Sequence, residues 1–199
     1  MKLPESFYQQ TNVVKIARQL LGKGLYTRID GEVTGGIIVE TEAYSWKEWG
    51  SHAYGPQGAK KTPRNAVMFD KGGHTYVYLI YGMHYLFNVV TNRPDVADAV
   101  LIRAIEPLEG VEIMKARRGK LANPFHLTSG PGKLTKALGI DRKWNGKFLL
   151  DNEVWIEDFG RKTPSKNIEA SPRIGIDYAG EDAKLPWRFT LKGNRWVSK

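Results

Sequence analysis

The sequence predicts an α+β fold, a curved and mainly antiparallel sheet with helices packed around it, as a single domain over residues 1–199. Three observations predict it. Most apolar runs alternate with period two and follow one another through turns, without the intervening helices that a parallel sheet requires. Two longer stretches instead repeat their apolar residues at helical spacing. A hydrophobic fraction of 41% over 199 residues is enough for one sizeable core.

Taken in order, residues 11–21 read as a helix capped by Thr11, with Val13, Ile16, Ala17 and Leu20 on one face and Gly22 as its stop. Strands follow at 25–29 and 33–44, joined through Asp30-Gly31. Residues 45–66 form a polar loop ending in Thr62-Pro63-Arg64-Asn65. Strands at 74–81 and 84–91 turn around Gly82-Met83, and another covers 99–105. Residues 107–120 read as a helix with Leu108, Val111, Ile113 and Met114 inward. Ser129-Gly130-Pro131-Gly132-Lys133 leads into a short helix at 134–138, and the last quarter holds strands near 154–156, 173–176 and 188–191.

Composition excludes several chemistries. With no cysteine there is no disulfide, iron–sulfur cluster, thiolate zinc site or cysteine nucleophile. The four histidines, His52, His74, His84 and His126, lack ligand spacing, so neither metal nor cofactor is expected. No apolar stretch is long enough to span a bilayer and the N-terminus lacks a signal-peptide core, so no membrane partner and a cytoplasmic location are expected. The formal charge is +9, and residues 101–150 hold ten Lys and Arg against four acids. Such a surface suits a polyanion, nucleic acid above all, although a solvated lysine-rich helix face fits the same charge.

Two segments carry chemistry. Alternation puts Glu40, Glu42 and Tyr44 on one face of a strand. One acid there is a candidate general base, but the pattern leaves open which one, and it fits an edge strand with a solvated acidic face equally well. In 74–85, Tyr76 and Tyr78 share a face that suits a core, whereas Tyr81 precedes Gly82 at a turn where a side chain projects. Asn88 is a polar residue in an apolar strand and needs a partner, either backbone or ligand. Gly130-Pro131-Gly132-Lys133 lacks the leading glycine and the Ser or Thr of a nucleotide phosphate loop, but it offers a lysine at a helix start to a DNA phosphate. No Gly-x-Gly-x-x-Gly follows a strand.

The segments Val39 to Tyr44, Thr62 to Asn65, Tyr76 to Tyr78, Tyr81 to Met83, Leu101 to Gly110, Ser129 to Leu134 and the tail Trp187-Arg188-Phe189 through Trp196-Val197-Ser198 recur together and in order. Together they resemble the alkyladenine DNA glycosylase family, also called 3-methyladenine or methylpurine DNA glycosylase. The likeness covers nearly the whole chain, and without the N-terminal extension of animal members it resembles a bacterial form, working on nucleoid DNA.

The resemblance implies a monofunctional glycosylase that flips alkylated or deaminated purines out of duplex DNA, initiating base excision repair; a monomer is expected as the simplest state. The purines it implies are 3-methyladenine, 7-methylguanine, hypoxanthine and ethenoadenine. It makes Glu42 the catalytic acid, with Arg103 beside the water and the target phosphate. Tyr44, His52 and Tyr78 correspond to the residues around the flipped base, and Asn88 to the one that disfavours guanine. Tyr81 and Met83 correspond to the DNA-inserting pair, with Arg64 and Lys133 expected on the DNA backbone. The family's Gly-Pro turn and acid after Tyr44 are replaced by Ser45 to Ser51, one residue shorter. The loop bearing His52 therefore takes another path, and Trp46 or Trp49 becomes a candidate aromatic wall. The alternative from another class is a non-catalytic nucleic-acid-binding domain.

Overall fold

The computed structural model describes residues 1–198. One sheet contains β1 (Gly24–Ile29), β2 (Glu32–Tyr44), β3 (Thr75–Ile80), β4 (His84–Thr91), β5 (Asp98–Glu109), β6 (Val154–Glu157), β7 (Ile168–Ser171) and β8 (Arg188–Leu191). Its main order is β3-β4-β5-β2-β1-β6; β8 also pairs with β2, and β7 with β8. Every pairing is antiparallel, as the short connections predict. The long β2 pairs with β1 up to Ile37 and with β8 from Glu40 to Glu42. This change of partner along one strand splits the sheet beyond β2 into two branches.

Helices α1 (Glu5–Tyr8), α2 (Val13–Leu20), α3 (Val111–Arg118) and α4 (Pro131–Leu138) surround the sheet. The apolar face of α2, Val13, Ile16, Ala17 and Leu20, is buried as its spacing predicts. It packs on β2, where the Thr41 hydroxyl donates to Ala17 O at 2.9 Å. Alternation then sends Glu40, Glu42 and Tyr44 to the opposite face.

The structure corrects four local expectations. The cap of α2 is Asn12, which accepts from Lys15 N–H at 2.9 Å, rather than Thr11. Residues 107–109 extend β5, and the helix starts only after Gly110, whose φ of 67° turns the chain. Leu108 is consequently 58% exposed instead of inward. The segment 173–176 is irregular, and the strand pairing with β8 is β7, upstream of it. Finally, β2 is an interior strand with both acids buried, which overturns the solvated-edge alternative.

Candidate active site

Register brings the chemistry together. Tyr76 on β3 pairs with Asn88 on β4, Asn88 with Leu101 on β5, and Leu101 with Glu42 on β2. These four residues form one rung across adjacent strands, about 14 Å from end to end at three strand spacings. Side chains on a rung share a face, so Glu42 and the tyrosines border the same side of the sheet.

Paired irregularities set the acids. Ile38 pairs with Ile105, Glu40 with Ala104 and Thr41 with Ile102, so Val39 is extra on β2 and Arg103 is extra on β5. Bulges of this kind re-aim a side chain beside an active site. The Arg103 guanidinium reaches both acids, with Nε 2.8 Å from Glu40 Oε1 and Nη1 3.2 Å from Glu42 Oε1. Burial works against its charge, but Glu42 and Glu40 outweigh that and hold its pKa above the usual value.

The two carboxylates, both 0% exposed, differ in their surroundings. Glu40 is saturated. Its Oε1 accepts from Arg103 Nε, Arg188 Nε and Ser198 Oγ, and its Oε2 from Ser198 N–H at 2.7 Å. Glu42 accepts from Tyr44 Oη at 2.8 Å on one oxygen and from Ile174 N–H at 2.8 Å on the other. Burial, then the adjacent Glu42, push the Tyr44 pKa well above its usual value, so the phenol remains a donor.

Tyr44, Arg103 and Ile174 all line a cavity of about 170 Å³, so Glu42 stands one contact behind its wall. Tyr76, Tyr78, Asn88 and His52 also line it. His52 Nδ1 lies 2.9 Å from Tyr76 Oη, and its ring packs 4.5 Å from that of Tyr78. One face of His52 is open, yet desolvation by its neighbours, then the charge of Arg64, lower its pKa to about 4. It is therefore neutral near pH 7. Burial raises the Tyr76 pKa to about 12 and that of Tyr78 as well. The buried Asn88 finds its partner in the backbone, donating to Tyr76 O at 3.0 Å.

Tyr81 projects at the mouth, 79% exposed, with Met83 at 70%. Its φ is 53° and that of Gly82 is 68°, in a turn closed by Met83 N–H donating to Ile80 O at 3.2 Å. A tyrosine in this region costs about 1–3 kcal/mol, and such strain concentrates at functional sites. Arg64 lies over the Tyr78 ring at 5.4 Å, at the pocket rim. Lys133 sits in the first turn of α4, away from this cavity. Part of the basic 115–143 segment is occupied internally: Arg117 donates to Ala137 O and Arg118 to Leu127 O.

Neither tryptophan walls the pocket. Trp46 packs against the smaller core cluster under residues 53–69, and the exposed Trp49 stacks on Tyr54. Sequence reasoning missed the segment 173–178, which supplies Ile174, Ile176 and Tyr178 to the cavity. Its anchor is Arg173, buried between Glu48 at 2.7 Å and the Tyr44 ring at 4.7 Å. An arginine reading as one member of a short apolar strand gave no sign of that ion pair. Among the described residues, no group of three or more His, Cys, Asp or Glu is placed to hold a metal.

Comparison with known proteins accounts for this arrangement. The family model for methylpurine-DNA glycosylase matches residues 6–195. A Chlamydia abortus protein named as a 3-methyladenine DNA glycosylase is 48% identical over 191 residues, covering 95% of this chain and 97% of that protein. Similarly named proteins of Carboxydothermus hydrogenoformans and Clostridium acetobutylicum are 46% identical over 199 residues and 44% over 206, covering 100% of this chain and 100% and 98% of theirs. Carrying the family's pattern through all eight strands, the chain belongs to the methylpurine-DNA glycosylases, the DNA-repair hydrolases that bind DNA and act on its glycosidic bonds.

Proposed function

We propose that this protein hydrolyses the N-glycosidic bond of alkylated or deaminated purines in duplex DNA, acting as a monomer in the cytoplasm. The observation that carries the reading is the buried Glu42 carboxylate, held by Tyr44 and Arg103 directly behind an aromatic cavity. Eversion costs a few kcal/mol of unstacking, least for a damaged or mispaired base. Tyr81 offsets part of that cost by entering the gap, and Tyr44, His52 and Tyr78 by stacking on the ring, at roughly 1–3 kcal/mol per stacked base.

Departure of the base leaves oxocarbenium-like charge on the sugar. Glu42 stabilises that charge and takes a proton from the attacking water. For water to reach it, one of its three donors must yield, and Ile174, 43% exposed, is the one at the surface. A cationic base such as 3-methyladenine leaves unaided, whereas hypoxanthine or ethenoadenine needs protonation. Among the described residues no lysine lines the cavity to form a Schiff base, which supports a monofunctional reaction. A non-catalytic DNA-binding module has no use for a carboxylate beside its DNA site, since it repels phosphate.

The test is incubation with duplexes carrying one lesion each (3-methyladenine, 7-methylguanine, hypoxanthine or ethenoadenine), followed by alkaline cleavage. Abasic sites are expected at one or more lesions, with no scission before alkali or heat. An absence of abasic sites with every lesion overturns the reading, and scission without alkali overturns monofunctionality.

A further inference from the structure

A second concavity, of about 420 Å³, is lined by Phe125, His126, Ser129, Lys133, Arg195 and Val197 among others, with no acid among the described residues of its wall. We propose that it seats a phosphodiester of the damaged strand flanking the everted nucleotide, with Arg195 and Lys133 as its ligands. This rests on the reading that the protein acts on DNA, and it goes beyond a lone lysine at a helix start by assigning a built pocket and an arginine.

Two observations on its ligands support it. The Arg195 guanidinium lies 4.1 Å over the Phe125 ring, and Phe125 is itself braced edge-on by Trp196 at 5.0 Å. A guanidinium stacked in this way keeps its N–H edge free and loses little entropy on binding a phosphate. Among the described residues, neither Arg195 nor Lys133 reaches a carboxylate within ion-pair distance, although most other charges near the core are paired or bonded. Two cations in one concavity repel each other, and an anion relieves that repulsion.

The pocket's position fits a strand running past the cavity mouth. Ser129 bridges to Ala104, the neighbour of Arg103, and Val197 precedes Ser198, which binds Glu40. The pocket's lining thus adjoins, one residue away on each side, the Arg103–Glu40–Ser198 cluster, of which Arg103 lines the active-site cavity. On the outer side, Gly132 abuts the His84 ring just past the hairpin tip. One strand carries a phosphate every ~3.4 Å of helix axis. With Tyr81 in the stack, phosphates next to the lesion therefore run along His84 toward Lys133 and Arg195.

The experiment combines variants with neutralised linkages. Binding of a lesion duplex by wild type, Arg195→Ala and Lys133→Gln is titrated against salt, and repeated with single methylphosphonates walked along the damaged strand. Arg195 is exposed, and melting curves check that each variant is folded. Arg195→Ala is expected to weaken binding by about tenfold and make the log K against log salt slope shallower by about one. Wild type should lose comparable affinity at a linkage near the lesion to which Arg195→Ala is indifferent.

The proposal is overturned if both variants keep the wild-type slope, or if Arg195→Ala stays as sensitive as wild type at every linkage. Wild-type excision on the same duplexes separates the two readings. Excision with unaltered variants removes the pocket alone, whereas linkage-specific loss without excision removes the glycosylase reading alone. Absence of DNA binding by wild type removes both.

Discussion

The Tyr44 hydroxyl donates to Glu42 Oε2 at 2.8 Å, from two residues further along the same strand. The bond ties the cavity wall to the acid behind it, because Tyr44 lines the cavity and Glu42 does not. It also orients the carboxylate, leaving Oε1 toward Arg103 and Ile174.

Glu42→Gln keeps the shape of the side chain and most of its neighbours but removes the charge and the base. Single-turnover excision should fall by ~10²–10⁴-fold, while lesion-duplex affinity and the melting temperature stay near wild type. Excision at the wild-type rate would show that the base lies elsewhere.

Glu40 should behave in the opposite way. It neutralises Arg103 and Arg188 and receives two bonds from Ser198, all with little or no solvent. Removing one partner of a buried ion pair costs about 3–5 kcal/mol. Denaturant unfolding of Glu40→Ala should show a loss of that order, larger than for Glu42→Gln. Equal stability of the two variants would contradict a structural role for Glu40.

Tyr81→Gly should separate stability from function. Glycine adopts a φ of 53° without the steric penalty, so unfolding free energy should match the wild type or exceed it by up to about 1 kcal/mol. Lesion-duplex affinity should drop by tenfold or more, measured by anisotropy. If affinity is retained, the exposed tyrosine does not enter the stack.

The pH dependence has a definite sign at each end. His52 has its pKa lowered to about 4, below its ordinary 6.5, so its contribution to stability is complete above pH 6.5 and is lost as pH falls through 4. Its ring-proton NMR signals should stay flat from pH 8 to 5. Burial raises Tyr44 and Tyr78 above their ordinary value of 10, and their contribution is complete below pH 10 and lost as pH climbs through the raised values. Phenolate absorbance at pH 10 should therefore rise on unfolding. A His52 titrating near 6.5 would mean the pocket is open to bulk water.

Local pattern carried much of the fold. Apolar spacing marked the buried face of α2, and Asp30-Gly31 the first hairpin, where φ is 51° and 85°. Turn chemistry singled out Tyr81 because a projecting side chain before a glycine is a local property. Alternation placed Glu40, Glu42 and Tyr44 on one face, since a strand's period of two acts over neighbouring residues. The segment 173–176 failed for the complementary reason. Its apolar residues look strand-like, but Ile174 N–H goes to a carboxylate 132 residues away instead of to a neighbouring strand.

Sequence alone could thus determine the kinds of element, the shared face of the two acids and, through the order of its motifs, the family. Tertiary structure decided how the surroundings of the two acids differ. Glu40 is consumed by Arg188 and Ser198 from the far C-terminal end, while Glu42 stands behind the wall of a cavity assembled from β3, β4, β5 and the 173–178 segment. The physical reason is that burial and cross-strand register depend on long-range pairing. Each carboxylate's environment includes residues more than a hundred positions away, which no local period encodes.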